Sequence, residues 1–482
     1  MKKCLEKYLG RRSFLKSAAG LSAATAAGVG FWADKTLDAA VQNTNRSSSP
    51  TALRITDLRV LTIAGRYHII RIDTNQGISG LGEVRDGASK TYALFLKSRI
   101  LGENPCNIEK IFRKIRQFGG TGRAAGGVTA IEEACWDLAG KAYNVPVYQM
   151  LGGRYRDRIR CYCDTSPSAD PKVFAEQIKR RKDLGFTWFK MDVRTSILAG
   201  IPGTLAQPLG SDLDSIAQAP GRGGAGAQAP GRGGPGAPGR PARRPGPEHT
   251  FTGVEITDKG IALMQDFVSG VRDVIGYDVP LSTDHFGRIG TNSIIKLGKA
   301  FEKFNLAWME DPVPWYRTEL LKQITRELDV ATCTGEDIYL LPAFEVLCKE
   351  HAVDIINPDL STSGGILETK RIVDMAQTYG IPSTFHMAGM PVCAFANVHC
   401  AAASEGFIVQ ENHSVDLPWW DALVDGVEKP VLNKGFIRVP DGPGLGIRLN
   451  EDAIKQHLAQ PSDYFAPTTE WDNERSGDNL YT

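Results

Sequence analysis

The sequence predicts an α/β protein, a closed barrel of eight parallel strands behind a separate α+β domain. Three observations carry this. After Gly153, short apolar strand-like runs alternate with helical patterns through to about Asn412, and eight strand candidates can be counted. Three acids, Asp284, Glu310 and Glu336, follow three of those runs at even steps of 26 residues, about one strand, one helix and two loops. Before Gly153, the pattern is different: alternating apolar and polar residues first, then a helical period.

The chain has 482 residues, 42% hydrophobic and 23% charged, which allows a barrel of about 250 residues and a further domain. Its formal charge is +1, so global electrostatics gives no reason to expect a nucleic-acid or membrane-surface partner, and a small molecule is the expected one. Nine cysteines are present: Cys4 near the start, and eight scattered in apolar segments without CxxC or Cys/His spacing, read as buried free thiols.

Residues 1–40 begin with basic residues, carry Arg11-Arg12 before SFLK, and continue in an Ala/Gly-rich run too short for a membrane span. The segment resembles a twin-arginine export signal, with cleavage points near Ala33 or Ala40, which implies a periplasmic protein free of the membrane once the signal is removed. Residues 41–52 are polar and read as a linker. LRITDLRVLTIAGRYHIIRIDT followed by NQGISGLGEV reads as an antiparallel meander. VTAIEEACWDLAGKAYNVPVYQM reads as helix, closing an α+β domain over 53–153.

The barrel candidates over 154–415 are RIRCYCDT, TWFKMDV, VPLSTDH, LAWMEDP, VATCTGED, AVDIINPDL, IPSTFHMAG and GFIVQEN. A doubly wound open sheet is the other arrangement that this alternation permits. Residues 195–253 break the order. They hold two copies of APGRGG in a Gly/Pro/Ala/Arg tract that cannot bury a core, and read as an excursion from the loop after the second strand, either an active-site lid or an insertion without catalytic role.

The acids at the strand ends would share the face on which such barrels carry their chemistry, and three hard oxygen donors meeting there describe a Mg2+ site of Asp284, Glu310 and Glu336. Continuing the register, Asp359 lies 23 residues beyond Glu336 and His386 a further 27. A carboxylate beside an imidazole fixes its tautomer and raises its basicity, so the pair is read as a general base.

CWDLAGK, VYQMLGGRYRDRI, MEDP, TGED and the series NPD, GGI and FH together resemble the mandelate racemase subgroup of the enolase superfamily, from about Leu53 to Asp421. The resemblance implies an α+β capping domain on a (β/α)7β barrel, a C-terminal segment (416–482) packing back on the cap, a homo-oligomer, and removal of the proton α to a carboxylate with Mg2+ stabilising the enediolate. Racemases of the subgroup carry K-x-K at the second strand, where this chain has Lys190-Met191-Asp192. Lys190 can bind a substrate carboxylate, but Asp192 cannot replace an ammonium. Two-base racemisation is thereby disfavoured, and elimination from a single base is favoured.

DHFGR is similar to the stretch after the metal ligand of galactonate- and mannonate-type dehydratases, with the histidine one position early. His285 is a candidate general acid or a residue outside the barrel; Arg288 a substrate ligand or a surface pair. Glu411, beside His413 at the eighth strand, sits where relatives place a substrate-binding acid, and Asp192 is a further substrate-binding candidate. Loops near Gly65–Tyr67 and Gly80–Glu83 would close over the substrate by resemblance. The expected activity is that of a Mg2+-dependent sugar-acid dehydratase giving a 2-keto-3-deoxy acid. An epimerase, racemase or cycloisomerase using the same first step, and a non-catalytic sugar-acid binder, are the alternatives.

Overall fold

The computed structural model describes residues 49–473 apart from 166–167, 169, 199–200, 207–254, 285 and 287–288. The expected export signal, most of the linker and most of the Gly/Pro tract lie outside the described residues, as do His285 and Arg288.

Strands β1 (Ile55–Ile63), β2 (Tyr67–Thr74) and β3 (Ser79–Val84) form an antiparallel meander. Helix α1 (Gly126–Tyr143) lies across it and is buried around nearly its whole circumference, because the meander covers one side and the barrel another. Its close approach explains the glycines of β3: a Cβ on Gly82 would stand 1.9 Å from the carbonyl oxygen of Ala130. Gly80–Glu83 is thus a buried strand pressed on a helix, whereas a loop over the substrate was expected there.

Eight parallel strands follow: β4 (Arg158–Cys163), β5 (Phe189–Asp192), β6 (Leu281–Asp284), β7 (Met309–Glu310), β8 (Thr332–Thr334), β9 (Ile355–Ile356), β10 (Ser383–Phe385) and β11 (Phe407–Asn412). Each pairs with the next, and β11 pairs with β4 to close the ring. Most of these short strands are buried on both faces, with polar residues such as Ser282, Thr283, Thr332 and Thr334 buried as well, so they show no alternation. Helices α2 (Pro171–Asp183), α3 (Asp258–Ile275), α4 (Thr291–Phe301), α5 (Thr318–Glu327), α6 (Leu341–Lys349), α7 (Ile366–Thr378) and α8 (Pro391–Ala403) follow the first seven strands, giving a (β/α)7β barrel. After β5, Leu205–Ala206 pairs antiparallel with Glu255–Ile256, so the long insertion leaves and rejoins the barrel at adjacent points.

The C-terminal segment adds the strand Phe436–Arg438 antiparallel to the start of β4. It then reaches the capping domain, where Thr468 Oγ1 donates to the carbonyl of Leu58 and buried Lys97 donates to the carbonyl of Thr468. Two capping-domain carboxylates grip the barrel. Glu132 accepts from the N–H groups of Ile366 and Leu367 at the start of α7, and Glu83 from those of Met390 and Cys393 at the start of α8. Helix N-termini favour such anions. The eight described cysteines are free thiols, seven buried and Cys106 half-buried. Among the described residues no helix is long and apolar enough to cross a membrane.

His399, inside α8, joins the two domains by accepting from the N–H of Tyr148, on whose ring it stacks at 5.7 Å. Burial pushes its pKa down to about 4. The unfolded ring titrates near 6.5, above the folded value, so its stabilising contribution is complete above about pH 6.5 and is lost as pH falls toward 4, at about 1.4 kcal/mol per pH unit. His399→Gln is predicted to flatten the fall of the urea-unfolding midpoint across that window. An unchanged slope would contradict this.

Candidate active site

Carboxylates gather at the C-terminal ends of the barrel strands because the βα register repeats there. Asp284 ends β6 and is the cross-strand partner of Asp192 at the end of β5; Glu310 ends β7. Glu336 lies two residues past β8, in a turn whose Gly335 has φ +149°, and a Cβ on Gly335 would stand 2.9 Å from the backbone carbon of Asn357. Asp284, Glu310 and Glu336 each offer an oxygen within 4.8 Å of the others, with Asp284 and Glu310 buried and Glu336 partly so.

Lys190, on β5, points its ammonium into this group, 2.9 Å from Asp284 Oδ2, 3.4 Å from Glu310 Oε1 and 3.1 Å from Glu411 Oε1. Burial alone would lower its pKa, but the three carboxylates outweigh this and hold it well above the usual lysine range. Glu310 is fixed on its other edges by Trp308 Nε1 (2.9 Å) and Asn357 Nδ2 (2.6 Å). Burial, then the nearby Asp284 and Glu411 charges, push Glu310 well above the usual carboxylate range despite Lys190. Four carboxylates stand here around the Lys190 ammonium, and three of them, Asp284, Glu310 and Glu336, bring oxygens close enough together to hold a cation. The donor set is entirely hard oxygen, which suits a cation of the magnesium type.

Asp359 and His386 follow β9 and β10, bridge one another as backbone partners, and lie side by side. His386 Nδ1 is 2.5 Å from Asp359 Oδ2, while Nε2 faces the metal-type cluster, 3.3 Å from Glu336 Oε2 and 3.7 Å from Glu411 Oε2. Burial would lower the pKa of His386, but Glu336 and Glu411 outweigh it and raise it to about 10. The hydrogen bond to Asp359 adds to the rise and the nearby Arg85 guanidinium opposes it.

Glu411, on β11, accepts from Tyr162 OH at 3.1 Å and lies 3.2 Å from His413 Nε2. Burial pushes its carboxyl up, yet Lys190 and His386 prevail and hold it well below the usual range. With Asp164 and His413 it forms a second group of three possible ligands. Asp192 is paired with Arg194 at 2.7 Å.

Lys190, Asp284, Glu310, Glu336, Asp359, His386 and Glu411 are therefore brought together, and Asp192 adjoins them. His285 and Arg288 lie outside the described residues. The sequence reading did not find Arg85, one residue past β3, whose guanidinium touches Asp359 and approaches His386 Nδ1 at 3.0 Å. Its available signal was the Arg-Asp-Gly that follows the strand-like SGLGEV. Tyr162, Trp308 and Asn357 were also missed as partners, although Trp308 lies two residues before Glu310 and so faces the same way.

Titration of chelator-treated protein with Mg2+ by calorimetry is predicted to show binding that Asp284→Asn weakens at least tenfold, about 1.4 kcal/mol. Equal affinity in the variant would remove Asp284 from the cation site.

Two family descriptions match the chain: the mandelate racemase/muconate lactonizing enzyme N-terminal domain over residues 38–152, and an enolase C-terminal-like domain over 237–453. A D-xylonate dehydratase from Haloferax volcanii is 29% identical over 433 residues, covering 88% of this chain and 93% of that protein. A D-galactonate dehydratase family member from Pseudarthrobacter chlorophenolicus is 26% identical, covering 82% and 93%. The crystal structure of a mandelate racemase/muconate lactonizing enzyme-like protein from Rubrobacter xylanophilus matches with a TM-score of 0.70 and 28% identity, over 86% of this chain and all of that one.

Proposed function

This chain belongs to the enolase superfamily, in its mandelate racemase/muconate lactonizing enzyme group, and we propose that it is a Mg2+-dependent dehydratase of sugar acids that eliminates the β-hydroxyl of an aldonate. The chain is an enzyme of the hydro-lyase class, and superfamily membership implies a divalent metal. The observation that carries the finer reading is one imidazole with its Nδ1 side held by Asp359 and its Nε2 side open to the carboxylate cluster, while Lys190, the lysine of the second strand, is tied up in ion pairs with Asp284, Glu310 and Glu411.

In this reading Asp284, Glu310 and Glu336 hold the metal. A bound divalent cation supplies stabilisation of the negative charge that builds on the substrate carboxylate. His386 Nε2 takes the α-proton, and Asp359 keeps the ring in the tautomer that leaves Nε2 as acceptor. Lys190 and Glu411, paired with one another, offer a cation and an acceptor to the substrate's carboxylate and hydroxyl groups. Asp192, locked to Arg194, is not a base for the opposite face, which disfavours racemisation. We assign His285, next to Asp284 in sequence, to protonating the departing β-hydroxyl, and Arg288 to the substrate. Loss of the α-proton and of the hydroxyl as water leaves an enol, which becomes the 2-keto-3-deoxy acid.

The test is turnover of C5 and C6 aldonates with Mg2+, D-xylonate and D-galactonate first, read with a 2-keto-acid reagent. The expected outcome is a 2-keto acid from at least one of them, abolished by chelation and restored by Mg2+. His386→Ala is expected to lower kcat about 1000-fold. His285→Asn is predicted to retain solvent exchange of the α-proton while losing product. Full activity in His386→Ala would remove it as the base, and exchange without elimination in the unmodified protein would favour an isomerase.

A further inference from the structure

We propose that Arg85, supplied by the capping domain, is a positioning residue for the His386–Asp359 pair, so that the base is fully assembled only with the cap seated on the barrel. The inference rests on His386 being the base, as proposed above.

Arg85 follows β3 and its side chain is 2% exposed. Its Nη1 contacts Asp359 Oδ2, the same oxygen that receives His386 Nδ1. Arg85 Nη1 and His386 Nδ1 are 3.0 Å apart, two donors converging on one acceptor oxygen. The guanidinium is oriented from behind: Asp86 Oδ1 lies 3.2 Å from its Nε, and Asp86 is itself tied to Arg123. Asp337 Oδ1 and Glu336 Oε1 lie 3.7 and 3.9 Å from Nη2.

Position decides between two roles for a buried arginine. One is to bind the substrate carboxylate, which requires a free face on the reacting side. Arg85 Nη1 instead stands on the Nδ1 side of the imidazole, whereas Nε2 faces Glu336 and Glu411, and the remaining Arg85 nitrogens face Asp86, Asp337 and Glu336. A planar guanidinium fixed at several points is well suited to hold a carboxylate in one orientation. Acting on Asp359, it fixes the oxygen that selects the His386 tautomer.

The capping domain places the arginine by the contacts that seat it. The start of α1 presses on Arg85, since a Cβ on Gly126 would stand 2.9 Å from Arg85 Cβ. Thr129 Oγ1 donates to the carbonyl of Ser361, two residues past Asp359. Glu132 and Glu83 hold the N-termini of α7 and α8, the helices that follow the strands carrying Asp359 and His386. Two βα units that bear the base are thus clamped by the domain that delivers Arg85.

The experiment compares R85Q, R85K, D359N and R85Q/D359N in the full chain with Mg2+ and the aldonate it turns over, together with ¹⁵N resonances of the His386 ring, assigned by their loss in H386N. R85Q is expected to lower kcat about 100-fold with KM within about threefold, R85K to recover part of kcat, and the double variant to be no slower than D359N alone. The His386 nitrogens are expected to move in R85Q, as in D359N. A raised KM at unchanged kcat, multiplied effects in the double variant, or unmoved His386 nitrogens would overturn the inference. If R85Q does not fold, R85K decides by the same criteria of kcat, KM and ring nitrogens. If the unmodified protein turns over no sugar acid, the functional reading fails while the ring nitrogens still decide the role of Arg85.

Discussion

Carboxylates crowded together at one end of the barrel are the constraint around which this molecule is organised. Asp284, Glu310, Glu336 and Glu411 converge at one end of the barrel, and burial of all but the partly exposed Glu336 denies them the water that would screen their repulsion. Lys190 compensates part of the charge and Trp308 and Asn357 donate to Glu310, but the acids still outnumber the ammonium. A site with surplus buried negative charge is built to receive positive charge. The same imbalance reaches His386, whose basicity is set by Glu336 and Glu411. Glu336 thus belongs both to the group of three possible cation ligands and to the surroundings of His386 Nε2.

The two domains are joined by the chemistry that helix termini offer to anions. Glu132 and Glu83 leave the capping domain to accept backbone N–H groups of α7 and α8, where water would otherwise be needed. Burial raises both carboxyls, to about 7 and about 8, despite these hydrogen bonds. The contacts fall on the two helices that follow Asp359 and His386. A cap docked in this way limits movement of the strand ends that hold the base, and its glycine-lined β3 allows α1 to approach closely enough to do so.

Much of this was legible in the sequence, for physical reasons that differ by element. The barrel could be read because its βα units repeat, and the repeat puts Asp284, Glu310, Glu336, Asp359 and His386 on one rim. Closure of the ring was legible only as a count of strands; the pairing of β11 with β4 is a long-range contact that no local pattern encodes. Arg85 escaped because it belongs to another domain, and its distance along the chain from Asp359 hides a direct contact. A loop over the substrate was expected at Gly80–Glu83 by resemblance, whereas its glycines mark a close crossing of strand and helix. Lys190 was read as a substrate ligand; that its ammonium is also shared among three carboxylates is a fact of packing rather than of motif.

The central claim is that a single base on one face removes the α-proton and that elimination follows. The direct measurement is partial conversion of an accepted aldonate in D2O, with NMR of both the product and the recovered substrate. The account predicts a 2-keto-3-deoxy acid carrying solvent deuterium at C3 and recovered substrate with its C2 configuration intact. Recovered substrate epimerised at C2 would contradict it, because inversion requires a second base on the opposite face.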